Sequence, residues 1–183
     1  VGARDATDLN LPNLCDALQC GAVASVVLQS GAWLSDAADR KADGRRSTVW
    51  AADNLKGRPW FDWVRYRRSD GTEQYGRVWV LVASLAGSVC RKVVVERAKV
   101  ATPRPDCPFA AYGCTRLRWA LQPGSAAVEL EAIDLGVITK VLCVEHDWED
   151  WLSRHSLDDF PSTHPIDADD LEQRRFIINA FVQ

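Results

Sequence analysis

Residues 59–85 show the clearest alternation of apolar and polar side chains in the chain. Successive side chains point to opposite faces in residues 60–68, and the alternation resumes in residues 74–85. A period of two, with aromatic and β-branched residues, is typical of a strand. Asp70 and Gly71 lie between the two runs, and an Asp-Gly pair favours a tight turn because both positions tolerate positive φ. The stretch therefore predicts a β-hairpin.

Further runs of the same kind follow this hairpin. Residues 89–100 are predicted as a third strand, which makes a three-strand meander, and more strands are expected at residues 115–121, 126–133 and 139–146. Residues 134–138 are expected to form a short turn. Three prolines in residues 101–113 cannot donate to a ladder, so that segment is predicted to be a loop. Five to six strands at this spacing indicate a small, bent β-barrel of SH3-like type.

The segments on either side of the barrel predict helices. Leu14, Leu18, Ala22 and Val26 recur at four-residue steps, which favours a helix from Asn13 to a stop at Gly31, with a short helical continuation over residues 32–40. A second short helix is expected from Asp147 to about His155, and an apolar, docked strand at residues 175–182. The expected fold class is mainly β with flanking helices (α+β).

This pattern divides the chain into three consecutive segments. Residues 1–58 are interpreted as an N-terminal arm and amphipathic helix, residues 59–146 as the barrel, and residues 147–183 as an acidic C-terminal helix and strand. The length of 183 residues is enough to bury a core. No apolar run approaches the roughly 18 residues that cross a bilayer, so no membrane span is expected. The chain begins at Val1 and contains no Met, which indicates a processed or trimmed product.

The net charge of −3 conceals an uneven distribution. Residues 56–119 hold 13 Lys and Arg against 5 Asp and Glu, a balance of +8, whereas residues 120–183 hold 4 against 13, a balance of −9. A basic middle followed by an acidic tail has two readings. Either the middle faces a polyanion, or the tail folds back and neutralises it, and the second reading requires no partner.

Motifs for chemistry are absent from the sequence. The three His residues, His146, His155 and His164, are nine residues apart, which is not a metal-ligand spacing. No nucleophile elbow, zinc-protease motif, phosphate loop or dinucleotide fingerprint occurs. The six Cys residues are expected to be reduced thiols, with a Cys107–Cys114 disulfide as an alternative. We therefore expect no catalytic residues, no metal and no cofactor, and the chain is not predicted to be an enzyme.

Aromatic and basic side chains on the hairpin are the stronger indication of function. Aromatics at the rim of a small barrel can stack bases, hold a peptide or cage a methylated ammonium group, although large aromatics more often fill the core. Trp63 is expected to be the most exposed Trp, because Arg65 and Arg67 share its face. If the arginines share one face of the sheet, they form a basic stripe that can contact phosphates. The predicted ligand-binding residues are Trp60, Trp63, Arg65, Arg67, Tyr75, Arg77, Arg116 and Arg118.

Four short segments resemble a known family. They are residues 59–64 (Pro-Trp-Phe-Asp-Trp-Val), 75–78 (Tyr-Gly-Arg-Val), 114–119 (Cys-Thr-Arg-Leu-Arg-Trp) and 176–181 (Phe-Ile-Ile-Asn-Ala-Phe). Their order is similar to a β domain near the C-terminus of eukaryotic transposon-encoded proteins of the Kyakuja-Dileera-Zisupton kind. The resemblance implies an SH3-like or bromo-adjacent-homology-like module with a nuclear, DNA- or chromatin-linked role. It implies no catalytic residues, and residues 1–58 do not fit it.

Two functions follow as hypotheses. The first is a non-catalytic module that binds a nucleic acid, or a chromatin or protein ligand, through the basic aromatic hairpin. The alternative is a structural accessory subunit of a larger assembly, which the absent Met, the N-terminal arm and the apolar C-terminal strand would suit. Protein partners are expected in either case, and a nucleic acid is an open partner in the first. The compartment would be nuclear if the transposon resemblance holds and organellar if the chain is a processed subunit.

Overall fold

The computed structural model describes residues 26–29, 31–34, 48–55, 58–84, 90–102, 114–147 and 175–179. Within these residues the chain is almost entirely strand and turn, with no α-helix. The strands are β1 (Val26–Gln29), β2 (Gly31–Trp33), β3 (Thr48–Leu55), β4 (Arg58–Phe61), β5 (Trp63–Arg67), β6 (Glu73–Ser84), β7 (Cys90–Val100), β8 (Arg116–Trp119), β9 (Leu130–Asp134), β10 (Ile138–Leu142), β11 (Val144–His146) and β12 (Arg175–Ile178). One 3₁₀ turn, Leu135–Val137, connects β9 to β10.

Two compact units make up the chain. The first comprises Val1–Arg97 and Leu130–Leu142, and the second Ala98–Glu129 and Cys143–Gln183. These units interleave along the chain, whereas the sequence divided it into three consecutive segments. Strand β7 begins in the first unit and ends in the second.

The first unit contains a bent, barrel-like antiparallel sheet. Its strands are hydrogen-bonded in the order β10-β5-β6-β7-β9, and β1 pairs with the last residues of β6. The two outer strands of this order, β9 and β10, are consecutive in the chain and are joined by the single 3₁₀ turn. The sheet therefore curves until its edges are brought near each other. A separate three-stranded sheet has the order β2-β3-β4.

The core of the first unit is filled from both sheets. The side chains of the barrel that share it are Val64, Tyr66, Val78, Leu81, Val93, Val95, Ile133, Leu135 and Ile138, and the small sheet adds Ala32, Leu34, Val49 and Ala51. Full burial of one such aliphatic side chain contributes about 1.5–3 kcal/mol. Gly76 is required here for a close approach, because a Cβ at that position would lie 2.9 Å from the Glu96 carbonyl oxygen and 3.0 Å from the Val95 Cβ.

The strands of the second unit pair antiparallel with one another. In it β8 pairs with the end of β7 and with β12, and β12 pairs in turn with β11. One face of this sheet is apolar: Leu117, Trp119 and Phe176 are buried, and the last two meet edge to face with ring centroids 4.9 Å apart. This edge-to-face arrangement is one that aromatic pairs favour.

The strand predictions are confirmed in part. The meander of three strands, the turn at residues 134–138 and the docked C-terminal strand are present, and the fold is mostly β with a barrel-like sheet. The predicted strand over residues 60–68 is divided at Asp62 into β4 and β5, and the strand over residues 139–146 is divided at Cys143.

The helix predictions fare differently. The expected helix up to Gly31 and its continuation are wrong where they can be compared, because Val26–Gln29 and Gly31–Trp33 are strands. A four-residue apolar step favoured a helix, but Val26 and Val27 are β-branched and β6 offers a pairing edge. The other residues of the two predicted flanking helices lie outside the described residues, except Asp147, which is not helical. Within the described residues no helix is long and apolar enough to span a membrane.

Candidate nucleic-acid interface

The outward surface of β10, β5 and β6 brings together most of the predicted ligand-binding residues. Residues directly opposite one another on antiparallel strands share a face, and three rows of such residues cross this sheet. The rows are Leu142–Trp63–Arg77, Lys140–Arg65–Tyr75 and Arg67–Glu73. We call these eight residues the hairpin face. All of them belong to the first unit.

Exposure along the hairpin face increases from the first residue of β5 towards the hairpin turn. Trp63 is only 8% exposed, whereas the side chains of Arg65 and Arg67 are 35% and 60% exposed. The prediction that Trp63 is the most exposed Trp is therefore wrong. Trp63 has a neighbour in register on each side, Leu142 on β10 and Arg77 on β6. A ring that is buried to this extent offers little surface on which a ligand could stack.

The arginines of the hairpin face have specific contacts. Arg65 Nε and Arg67 Nη2 lie 3.7 and 3.8 Å from Glu73 Oε1, and Arg65 Nε also donates to Thr139 Oγ1 at 3.3 Å. Arg77 Nε donates to Glu96 Oε2 at 2.6 Å, and its guanidinium lies 5.9 Å from the centroid of the Phe61 ring. Arg77 is thus fixed in place, while the longer contacts of Arg65 and Arg67 hold them more loosely.

The hairpin turn is fixed by its own side chains. Gly71 has φ of +83°, which an L-residue rarely adopts, and its N–H donates to the Arg68 carbonyl at 2.9 Å. Asp70 Oδ1 accepts from the hydroxyl and the backbone N–H of Thr72 at 2.6 and 2.8 Å. These two bonds lower the pKa of the Asp70 carboxyl, the hydroxyl contributing more than the backbone. The Asp-Gly turn predicted from the sequence is thus present.

Trp60 does not lie on the hairpin face. It belongs to β4, an edge strand of the small sheet, and is 41% exposed. Its indole Nε1–H donates to Asp62 Oδ1 at 2.8 Å, and Asp62 Oδ2 accepts from the Trp50 backbone N–H at 2.8 Å. Burial raises the pKa of the Asp62 carboxyl, and the donors from Trp50 and Trp60 partly oppose that rise. Asp62 therefore acts as a junction between β3, β4 and β5.

The last two predicted residues, Arg116 and Arg118, lie in the second unit on β8. Arg118 is exposed. Arg116 is buried, at 6%, and its Nε lies 3.0 Å from Oδ2 of Asp147, whose side chain is fully buried. Arg116 cannot contact a ligand while it is held in this ion pair, so the structure does not place it among surface residues.

A polar cluster in the first unit was not found by sequence reasoning. Glu131 Oε2 accepts from the Tyr66 hydroxyl at 2.8 Å and from Arg68 Nη2 at 2.7 Å, and Arg97 Nε lies 3.1 Å from the same oxygen. Burial first, and then the bond to Glu131, raises the pKa of the Tyr66 hydroxyl above its usual range, and the same carboxylate raises the pKa of Arg68. The partners are 63 and 65 residues apart in the chain, so no local signal points to them.

The described residues show which cations of the basic part, residues 56–119, are paired with carboxylates of the acidic part, residues 120–183. Three carboxylates of residues 120–183 pair with cations of residues 56–119: Glu131 with Arg68 and Arg97, Asp134 with Lys92, and Asp147 with Arg116. The acidic part therefore neutralises several cations of the basic part. The partners described above for the hairpin face, Glu73 and Glu96, come instead from the basic part itself. Together, the four cations of the hairpin face and these two carboxylates carry a formal charge of +2.

The described part of the chain contains no candidate metal site, and its two described cysteines are unpaired thiols. There, no group of three or more His, Cys, Asp or Glu side chains is placed to hold a metal ion. Cys114 and Cys143 are free thiols, so the alternative of a Cys107–Cys114 disulfide is not formed. Burial, with a smaller contribution from Glu145, raises the pKa of the Cys143 thiol, which makes it less reactive.

The chain was compared with protein families, curated proteins and solved structures. No protein-family model, no curated protein and no solved structure matches the chain.

Proposed function

We propose that the chain is a non-catalytic binding module that holds a nucleic acid on its hairpin face. The observation that carries the proposal is the placement of Arg65, Arg67, Arg77 and Lys140 on one surface of three paired strands, with half-buried Tyr75 among them. Phosphate groups attract such a set without regard to base sequence, and the resulting affinity depends strongly on salt.

The existing ion pairs on this face are compatible with phosphate binding. Exposed pairs such as Arg65–Glu73 and Arg67–Glu73, at 3.7 and 3.8 Å, contribute at most about 1 kcal/mol, so a phosphate can replace the carboxylate at small cost. Arg77 is held by Glu96 and Phe61 in one orientation, which reduces the entropy lost on binding. Tyr75 offers a ring on which a base can stack, and such stacking contributes about 1–3 kcal/mol per base.

We also propose that the barrel is of SH3-like type. Five antiparallel strands in the order β10-β5-β6-β7-β9, with one 3₁₀ turn between the two outer strands, support this form. A nuclear, DNA- or chromatin-linked role, which the resemblance to transposon-encoded proteins implies, would agree with the proposed ligand. That resemblance stays a prediction.

Titration with fluorescent single-stranded and duplex DNA of about 20 nucleotides tests the proposal. Each phosphate neutralised adds about 0.9 to the salt slope for duplex DNA and about 0.7 for a single strand. Four cations therefore predict a slope of up to about −3.6 for the duplex, or roughly a hundredfold weaker binding at 200 mM than at 50 mM salt. Replacing Arg65 and Arg67 by Gln should weaken binding and flatten the slope. Lys92→Gln is the matched control, since Lys92 is an exposed cation that is absent from the hairpin face.

Absence of binding to both DNA forms at 50 mM salt would refute the nucleic-acid ligand. Equal losses in the Arg65/Arg67 variant and in Lys92→Gln would refute the hairpin face as its site. Tighter binding of duplex than of single-stranded DNA would indicate that phosphate contact, rather than stacking on Tyr75, provides most of the affinity.

The alternative, a structural subunit that contacts a protein partner, is favoured by one observation. Trp60 is 41% exposed on edge strand β4, and exposed Trp is enriched where protein partners bind. The apolar C-terminal strand does not favour it, because β12 is paired on both sides within its own unit. Light scattering and pull-down with the wild type and Trp60→Ala test this alternative, which a monomer without a Trp60-dependent partner would refute.

A further inference from the structure

One row of the hairpin face places an aromatic ring beside two cations. Arg65 on β5 is directly opposite Tyr75 on β6 and directly opposite Lys140 on β10. Residues paired in this way share a face, with Cβ atoms about 4.5–5.5 Å apart. We call Lys140, Arg65 and Tyr75 the central row. Because adjacent strands are about 4.8 Å apart, the row extends over about 10 Å.

The polar groups of the central row retain hydrogen-bonding capacity that the fold does not use. Arg65 Nε donates to Thr139 Oγ1 at 3.3 Å, and Thr139 Oγ1 donates in turn to the Arg65 carbonyl at 3.1 Å. The contact of Arg65 with Glu73, at 3.7 Å, is also made by Nε. Among the residues that the structure describes, Nη1 and Nη2 of Arg65, the Lys140 ammonium group and the Tyr75 hydroxyl make no hydrogen bond. The guanidinium is therefore oriented while its two terminal nitrogens remain available to a ligand.

Tyr75 differs from the two aromatic side chains of the neighbouring strand β5. Trp63 is 8% exposed, and Tyr66 is fully buried with its hydroxyl bonded to Glu131 at 2.8 Å. Tyr75 is only half-buried. Because side chains of a strand stand roughly perpendicular to the sheet, part of its ring is accessible from the face that carries Arg65. Proteins that bind single-stranded nucleic acids stack bases on aromatic rings placed beside cations in this way.

We propose that the central row binds one nucleotide of a single-stranded nucleic acid, an inference that rests on the proposed function. An unpaired base stacks on the Tyr75 ring, and Arg65 and Lys140 hold a phosphate of the same strand. Arg65 can bind that phosphate through two parallel N–H groups, whereas Lys140 acts as a point charge. Arg67 is 60% exposed and lies about 7 Å further along the same face of β5, where a neighbouring phosphate can reach it.

A duplex can use the central row less completely than a single strand can. Its bases are paired and stacked, so one reaches Tyr75 only if its nucleotide is turned out of the helix, which costs the energy of pairing and stacking. Phosphate attraction alone favours the duplex, since each phosphate neutralised contributes about 0.9 to the salt slope there and about 0.7 on a single strand. Tighter binding of the single strand is therefore expected only if a base contacts the protein.

Affinities at 50 and 200 mM salt for three DNA ligands of about 20 nucleotides test the inference. The ligands are a thymidine single strand, a strand of the same length with no bases, and a duplex. At 200 mM salt the wild type should bind the thymidine strand more tightly than either of the others. Tyr75→Ala should weaken binding of the thymidine strand about 5- to 150-fold, the range that stacking of one base provides, and should leave the affinity for the baseless strand unchanged. A uridine RNA strand, which shares the phosphates and an unpaired base, shows whether RNA or DNA binds more tightly.

Three controls separate stacking from charge and from loss of structure. Tyr75→Phe keeps the ring and should keep both the affinity and the urea midpoint of the wild type. Arg65→Gln should weaken binding of all the ligands, because it removes a phosphate contact, whereas Lys92→Gln removes an exposed cation outside the hairpin face and should not. If Tyr75→Ala does not fold, Tyr75→Leu fills more of the same space without a ring and gives the same comparison.

The outcomes distinguish the inference from the proposed function. If Tyr75→Ala weakens binding of the thymidine strand and of the baseless strand equally, no base stacks on Tyr75 and the inference fails. It fails as well if the wild type at 200 mM salt binds the duplex at least as tightly as the thymidine strand. In both cases the proposed function stands, provided that the Arg65/Arg67 variant binds weakly. If the wild type binds none of these ligands at 50 mM salt, both proposals fail.

Discussion

The buried ion pair between Arg116 and Asp147 allows a sharp prediction about the stability of the second unit. Their side chains are 6% and 0% exposed. The Nε–Oδ2 contact of 3.0 Å is not aligned as a hydrogen bond, and the Nη2–Oδ1 contact of 3.4 Å is long, so most of the attraction is Coulombic. Removing one partner of a buried pair costs about 3–5 kcal/mol, because the other charge is left desolvated.

Arg116→Met and Asp147→Val should each lower the free energy of unfolding by about this amount. With a urea slope of about 2 kcal/mol per molar, the midpoint would fall by about 1.5–2.5 M. The double variant replaces both charges by apolar side chains and should recover most of the loss, since such replacements are often neutral or stabilising. A coupling energy of about 3 kcal/mol or more in the double-mutant cycle is therefore expected.

Urea unfolding followed by far-UV circular dichroism and Trp fluorescence measures these values at low temperature, where the single variants retain a folded population. Arg116→Lys is the intermediate case, because it keeps the charge and loses the planar fork. If each single variant costs less than about 1 kcal/mol, the pair is solvated and behaves like a surface pair. If the double variant loses the sum of both single losses, the two side chains do not interact energetically.

Three further variants test other parts of the fold. Gly76→Ala should lower the free energy of unfolding by about 1–3 kcal/mol, because its Cβ would lie 2.9 Å from the Glu96 carbonyl oxygen. Gly136→Ala is the control, since its Cβ enters open space and should leave the urea midpoint unchanged. Equal effects of the two substitutions would contradict the close approach at Gly76. Tyr66→Phe should lower the free energy of unfolding by about 1–3 kcal/mol, because the hydrogen bond from its hydroxyl to Glu131 is lost. An unchanged urea midpoint would show that this hydrogen bond is not formed in solution. Because the folded pKa of Asp70 is lowered, its contribution to stability is present above the unfolded pKa of about 3.9 and is lost as the pH falls through the folded pKa. The urea midpoint of Asp70→Ala should therefore change less between pH 7 and pH 3 than that of the wild type. If the two midpoints change equally, Asp70 does not contribute to the loss of stability in acid.

The strands were predictable because the constraint that forms them is local. Alternation along β5, β6 and β7 follows from one face being buried, and the Asp70-Gly71 turn fixes the register of β5 against β6. The helix predicted through Val26 failed because its strand conformation depends on pairing with Ser84, far along the chain. A four-residue apolar step is not enough to distinguish a helix from a strand of β-branched residues when the partner strand is unknown.

The site was predictable in its residue types and in the face that its hairpin members share. That Arg65, Arg77 and Tyr75 share one face follows from alternation and the hairpin register. Burial of Trp63 was not predictable, because its neighbour Leu142 lies opposite it only through the pairing of β10 with β5.

The pairing of β10 with β5 also has a kinetic consequence. Ile138 lies opposite Tyr66, so the barrel closes only when two segments separated by more than 70 residues meet. The β5–β6 hairpin can form in microseconds, but a closure that spans so much chain must first overcome the entropy of a long loop. Until residues 138–142 have left the ribosome, β5 presents an unpaired edge with Val64 and Tyr66 uncovered. Fragments that stop before this strand should therefore aggregate, and the last strand of the barrel sets the shortest length at which the first unit can be produced folded.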